Sequence, residues 1–302
     1  MLETLKKRVG NEQSAPQHLA MRAPENPWFK AFRRMLKNRG ASLGLSVIVF
    51  FIVIGVLADV IAPYDPIKPN FTALRQPPSP QHLFGTDKQG RDILSRIIHG
   101  ARISMAVGFL SQGLTILIGT IVGAIAGYYG GKVDTILMRI TDSLYAFPTM
   151  LLLIIFMAAF GRGFINLLVA MSIAAWVGPA RLVRSQVLQL KGQAFVEASH
   201  ALGAPARHII LRHMLPNLIG SLMIFLSFGV PAAIMAEAGL SFLGIGLVPP
   251  TPSWGVMLND GFAVLRALPH VVFFPSLVII ITMLAFMYLG DGLRDAFDPR
   301  SA

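Results

Sequence analysis

Side chains able to do chemistry are thinly spread over this 302-residue chain, and what is missing narrows the options first. Cysteine is absent, which removes disulfides, thiolate nucleophiles and cysteine-ligated metals. His208 and His213 are five positions apart, a spacing that does not bring two imidazoles to one face of an α-helix, so they read as surface residues rather than ligands. Around Gly130–Asp134, Ala126 and Val133 stand where a phosphate-binding loop needs glycine and serine or threonine. No Ser-His-Asp arrangement offers itself either. The chain is therefore read as a non-enzyme with no cofactor bound directly and no metal site.

Two places remain as candidate sites. Glu237 is the only carboxylate in the apolar stretch Leu218–Ala238. Desolvating an ionisable group at membrane depth is costly, which makes Glu237 a candidate for a substrate pathway; near a span end it could instead reach headgroups or pair with an arginine. The second place is Gly192–Asn217, GQAFVEASHALGAPARHIILRHMLPN, too polar for lipid yet flanked by apolar runs. Ala194–Leu202 are mostly good helix formers, Gly203 offers the permissive backbone of a helix end, and Pro205 suits the first turn of a second helix, expected to run to Leu215 and be interrupted at Pro216. Such a hairpin would present Phe195, Ala198, Ala201 and Leu202 along one side, a knob for a partner's groove, flanked by Arg207, His208, Arg212 and His213.

The elements that must position these residues are membrane spans. Hydrophobic residues make up 54% of the chain and charged residues 14%, too apolar a balance for a soluble globule. The net charge of +11 does not indicate nucleic acid, because the basic residues gather at the edges of apolar runs and no nucleic-acid motif is visible. Residues 1–40 are expected to form a cytoplasmic tail, flexible over Met1–Pro27, and an elbow helix with Trp28 at the interface; residues 41–302 form the transmembrane part. Spans are expected at Ser42–Ile61, Met105–Tyr128, Thr135–Phe160 with a kink at Pro148, Leu167–Leu182, Leu218–Ala238 bent by Pro231, and Val271–Leu289. Gly119, Gly123 and Gly127 recur every fourth residue in the second, an ordinary close-packing stripe.

Between the first two spans, residues 63–102 are expected outside. Asp87, Arg91, Asp92 and Arg96 form either a charged network stiffening a surface helix or a solvated face. Asp134, Arg139 and Asp142 form a local ion network or a second partner contact. Leu240–Gly261 is expected as an outer loop with Trp254 at the interface, and Asp291–Arg300 as a short cytoplasmic tail. An amino terminus inside, followed by six spans, returns the carboxyl terminus and the hairpin to the inside, where most basic clusters then fall. The first external loop, with Lys68, Arg75, Lys88, Arg91, Arg96 and Arg102, runs against that bias.

Three stretches carry a family resemblance. Glu197-Ala198-Ser199, then Gly203, then Leu215-Pro216 resembles the EAA signature of ABC importer permeases, with Ser199 for the second alanine and His213 for an isoleucine. GTDKQGRDILSRIIHGARIS, to Ser104, and LSFLGIGLVPPTPSWG, from Leu240, resemble signatures of the C-type peptide permeases. The resemblance implies an all-α polytopic fold of six transmembrane helices with a cytoplasmic coupling-helix hairpin over 192–216. It implies a bacterial inner-membrane importer in which this subunit pairs with a second, homologous permease, two cytoplasmic ABC ATPases holding ATP and Mg, and an external binding protein delivering dipeptides or oligopeptides; similar proteins carry glutathione or nickel. Within it Glu197, Ala198, Ser199, Leu202, Gly203 and Ala204 would be the ATPase-coupling residues. A proton-driven secondary transporter is the rival reading, and would need a carboxylate relay of which Glu237 is the one plausible member.

Overall fold

Long apolar runs fold as long helices because hydrocarbon leaves no other partner for backbone N–H and C=O groups than the chain itself. The computed structural model describes residues 27–297, and among them every regular element is helical. The tail expected over Met1–Pro27, the side chain of Trp28 and the terminal Arg300 lie outside the described residues and side chains. Helix α1 is Pro27–Lys37, α2 Arg39–Val56, α3 Ala58–Ile61 and α4 Ile93–Tyr129. Then come α5 Gly131–Tyr145, α6 Thr149–Phe160, α7 Phe164–Ala175 and α8 Val177–Lys191. The short helices α9 Ala194–Ala201 and α10 Ala206–His208 lead through a π-helical turn, Ile209–Met214, into α11 Leu215–Phe242; α12 is Trp254–Phe262 and α13 His270–Phe297.

Four helices are each long and apolar enough to cross a bilayer: α2, α4, α13 and the continuous run 206–242. Two further spans are broken pairs, α5 with α6 bent by 87° and α7 with α8 bent by 43°, giving six when each pair counts as one. The expected kink at Pro148 is thus a right-angled break. Pro148 has no N–H and disfavours helical geometry at Phe147, so the chain leaves one axis at Ala146 and begins another at Thr149. The span expected over Leu167–Leu182 is likewise bent, because Pro179 cannot donate to the Ala175 carbonyl at the junction.

Other boundaries also move. Pro216 does not interrupt its helix: the helical run 206–242 continues through it, with the π-helical turn Ile209–Met214 directly ahead of it. Helix α4 begins at Ile93, inside the stretch read as external loop, so loop helix and span are one rod of 37 residues. The turn read at Gly130–Asp134 shrinks to Gly130 and Gly131, both at positive φ, and α13 continues as helix through the expected tail to Phe297.

Close helix contacts are made by small residues. A Cβ added to Gly119, Gly123 or Gly127 would lie 2.6 Å from Pro179, 2.3 Å from the Ala180 carbonyl and 2.9 Å from the Arg184 carbonyl, so the glycine stripe of α4 is pressed against the backbone of α8. Two ion pairs lash α5 to the same helix. Arg184 donates to Asp134 at 2.6 Å and Arg181 to Asp142 at 2.6 Å, so these acids bind α8 rather than Arg139 in a network of their own.

The loop between α3 and α4 is capped by a buried charge cluster. Asp87, Arg91, Asp92 and Arg96 are each at most 3% exposed, so the solvated-face alternative is excluded and the network reading holds. Asp87 Oδ2 accepts from Arg91 Nε at 2.7 Å and from Arg96 at 3.0 Å. Both guanidiniums also donate to Asp260 of α12, at 3.0 and 3.2 Å, and Lys88 lies 3.2 Å from the same carboxylate. Sequence reading missed Asp260, although the local excess of bases over acids signalled a missing counter-ion. Asp92 caps α4 by accepting from the Ser95 N–H, and Arg102 pairs with Asp59 at 2.8 Å. Most of the loop bases that opposed the inside bias are thus held in ion pairs. In the same loop the N–H groups of Ile67 and Lys68 donate to Asp65 and hold its carboxyl below the usual range.

Trp254, expected at the interface, is fully buried. Gly100 leaves the notch that admits its ring, a Cβ there falling 2.9 Å from Cδ1, and its Nε1 donates to the Ile97 carbonyl, so the polar tip needs no water.

Candidate functional site

The hairpin is built as its residues dictate. Helix α9 ends in a full Schellman motif: Leu202 N–H donates to the Ala198 carbonyl at 3.0 Å, Gly203 N–H to His200 at 2.9 Å and Ala204 N–H to Ser199 at 3.1 Å. Gly203 supplies the required left-handed backbone at φ +80°. Pro205 then starts the return leg.

One side of the hairpin is anchored and the other is bare. Val196, Ile209 and Met214 are buried in a cluster with Ala124, Val183, Val187 and Leu218, and Ala204 packs against it. Phe195, Glu197, Ala198, Ala201 and Leu202 are exposed, Ser199 is half-buried, and Leu202 at 89% is the most exposed large apolar side chain among the described residues. The Glu197 carboxylate makes no hydrogen bond or ion pair with another described residue. The six candidate coupling residues thus lie together around one turn.

The π-helical turn corrects one expectation. In a helix with five-residue hydrogen bonding, positions five apart are stacked, so the rings of His208 and His213 meet edge to face with centroids 5.5 Å apart. Even so, no group of three or more potential metal ligands occurs among the described residues.

Glu237 is fully buried and pairs with no arginine among the described residues. Its Oε1 accepts from Ser241 and Ser253, both at 2.7 Å, while Oε2 has no partner among the described residues. Ser253 in turn caps α12 by accepting from the Val256 N–H. Glu237 therefore ties the end of α11 to the start of α12.

Glu237 does not line the half-open cavity of about 240 Å³ between α4, α6, α7 and α11. That cavity is walled by Leu153, Met171, Phe225 and small residues, with Ser111, Gln112, Thr115 and Thr149 as its polar members. Sequence reading passed over Gln112 and Thr115, though an amide inside an apolar span is a legible signal.

Comparison with known proteins places this geometry. Residues 119–302 match the family described as binding-protein-dependent transport system inner membrane component, and residues 26–78 match the N-terminal TM domain of oligopeptide transport permease C. The chain is 44% identical to the dipeptide transport system permease protein DppC of Bacillus subtilis (strain 168), over 89% of this chain and 85% of that protein. It is 44% identical to the oligopeptide permease OppC of the same organism, over 90% of each. It is also 44% identical to the glutathione transport system permease protein GsiD of Escherichia coli O157:H7, over 91% of each. Among solved structures, an inward-facing MetNI methionine ABC transporter chain superimposes with a TM-score of 0.57 at 18% identity, covering 68% of this chain and 98% of that one, a likeness of fold.

Proposed function

Because this chain belongs to the family of binding-protein-dependent transport system inner membrane components, we propose that it is the permease subunit of an ATP-driven importer of dipeptides or oligopeptides. The observation that carries the cargo is the 44% identity, sustained over about nine-tenths of each chain, to a dipeptide and an oligopeptide permease. Glutathione is the second reading, favoured by an equal identity to GsiD.

Energy comes from outside the chain. Two cytoplasmic ATPases, which hold ATP and Mg, grip the hairpin of this subunit and that of a second, homologous permease, while an external binding protein delivers the peptide. Support for the grip lies in Leu202: an apolar side chain 89% exposed at a rigid turn loses solvation cost only when something covers it. Glu197, without a side-chain partner among the described residues, is available to a basic residue of the ATPase. Val196, Ile209 and Met214 fasten the hairpin to α4, α8 and α11, so a force applied at the turn reaches the spans. Closing the ATPases then biases the spans between inward-open and outward-open states through differential docking. The termini and hairpin face the cytoplasm of a bacterial inner membrane.

The test is uptake of radiolabelled dialanine into proteoliposomes containing the assembled complex. Uptake that follows ATP and survives collapse of the proton gradient supports the reading. Uptake that needs the gradient and ignores ATP refutes it in favour of a secondary transporter, and preferential uptake of glutathione over dialanine selects the second reading.

A further inference from the structure

The cavity between α4, α6, α7 and α11 is lined by two polar side chains that make no hydrogen bond within the described residues. Gln112 is 5% exposed and Thr115 1% exposed, and neither makes a hydrogen bond to another described residue. Their neighbour Ser111 is different: its hydroxyl donates to the Val107 carbonyl at 2.6 Å. Gln112 and Thr115 are three positions apart on one helix and so share a face. Both residues are more than nine-tenths buried, yet they line open space, so a molecule that enters the cavity can bond them.

Space for the Gln112 amide is made by Gly229 of α11, where an added Cβ would fall 2.3 Å from Cδ, 2.4 Å from Nε2 and 2.7 Å from Oε1. Thr149, at the far side of the right-angled break, brings a further hydroxyl to the same space. No ionisable side chain is among the lining residues. At about 240 Å³ the cavity falls below the ~300–1,000 Å³ of sites that enclose a whole ligand, so it suits a segment passing through.

We infer that Gln112, Thr115 and Thr149 form a neutral hydrogen-bonding subsite for the backbone amide of the peptide in transit. This rests on the reading of the chain as a peptide permease and adds where that peptide is handled. A carboxamide offers one acceptor and two donors, matching the N–H and C=O of a peptide bond, and the apolar walls strengthen each bond. With no fixed charge, the subsite reads backbone and ignores the charge of cargo side chains.

The test compares two compounds in proteoliposomes holding the full complex with its binding protein: dialanine, and alanyl-lactate, in which an ester oxygen replaces the amide N–H. In the Gln112→Leu variant the ratio of dialanine to alanyl-lactate uptake falls roughly fivefold, the worth of one hydrogen bond. Gly229→Ala, which displaces the amide without removing it, lowers the ratio in the same direction and decides alone if the leucine variant does not assemble. A ratio left unchanged, or both uptakes falling by one common factor, overturns the subsite. A wild-type complex that takes up neither compound refutes the peptide reading and the subsite with it.

Discussion

Replacing Gly203 separates backbone geometry from every other property of the hairpin. A Cβ at this position meets no heavy atom within 4 Å, so Gly203→Ala carries no steric clash and costs only the left-handed backbone, about 1–2 kcal/mol. That shifts the turn's equilibrium by roughly 5- to 30-fold, which an anchored hairpin tolerates. Gly203→Pro is different in kind. Proline fixes φ near −65°, cannot reach +80°, and has no N–H for the His200 carbonyl. The cost is about 3 kcal/mol for the wrong backbone and about 1 kcal/mol for the lost bond, enough to dissolve the Schellman turn and scatter Leu202 and Glu197. The spans do not depend on this turn. Membrane-fraction blots are therefore expected to show both variants at normal levels, with Gly203→Ala retaining uptake within about threefold and Gly203→Pro losing transport-linked ATP hydrolysis. A well-expressed proline variant with normal uptake would refute the reasoning. So would an alanine variant as damaged as the proline one, since space rather than backbone would then be limiting.

Glu197→Arg should leave thermal stability within about 0.5 kcal/mol, because the carboxylate is exposed and unpaired among the described residues, yet abolish co-purification of the ATPase. Asp260→Ala leaves Arg91 and Arg96, both almost fully buried, sharing Asp87 alone; a loss of about 3 kcal/mol in thermal inactivation of the detergent-solubilised protein is expected, and an unchanged midpoint would mean the network is not stabilising. Gly123→Leu drives a side chain into the Ala180 carbonyl and should cost about 3 kcal/mol or more, seen as lost accumulation in the membrane, whereas Gly113→Ala, with no heavy atom near, should accumulate normally.

Much of this protein was legible before folding because its determinants are local. Runs of apolar residues near bilayer length specify spans whatever surrounds them, and Ala194–Leu202, Gly203 and Pro205 encode a helix, a left-handed cap and a restart within a dozen positions. The glycine stripe of α4 announced a close contact for the same reason, since a four-residue repeat fixes one helix face.

What the tertiary structure alone decided depends on partners distant in the chain or on how a helix is wound. Asp260 joins Arg91 across 169 positions, and no pattern within either segment names the other. Trp254 is a core residue because Gly100, on another helix, opens a notch for it. His208 and His213 touch because the chain between them is wound as a π turn, which changes which residues share a face. Glu237 lies in an apolar helix as its surroundings predicted, but the two serines that hold it, one of them sixteen positions on, make it a tie between α11 and α12 that the span alone does not announce. Spacing along one helix fixes which way a side chain faces; what it then meets is set by the helices packed against it.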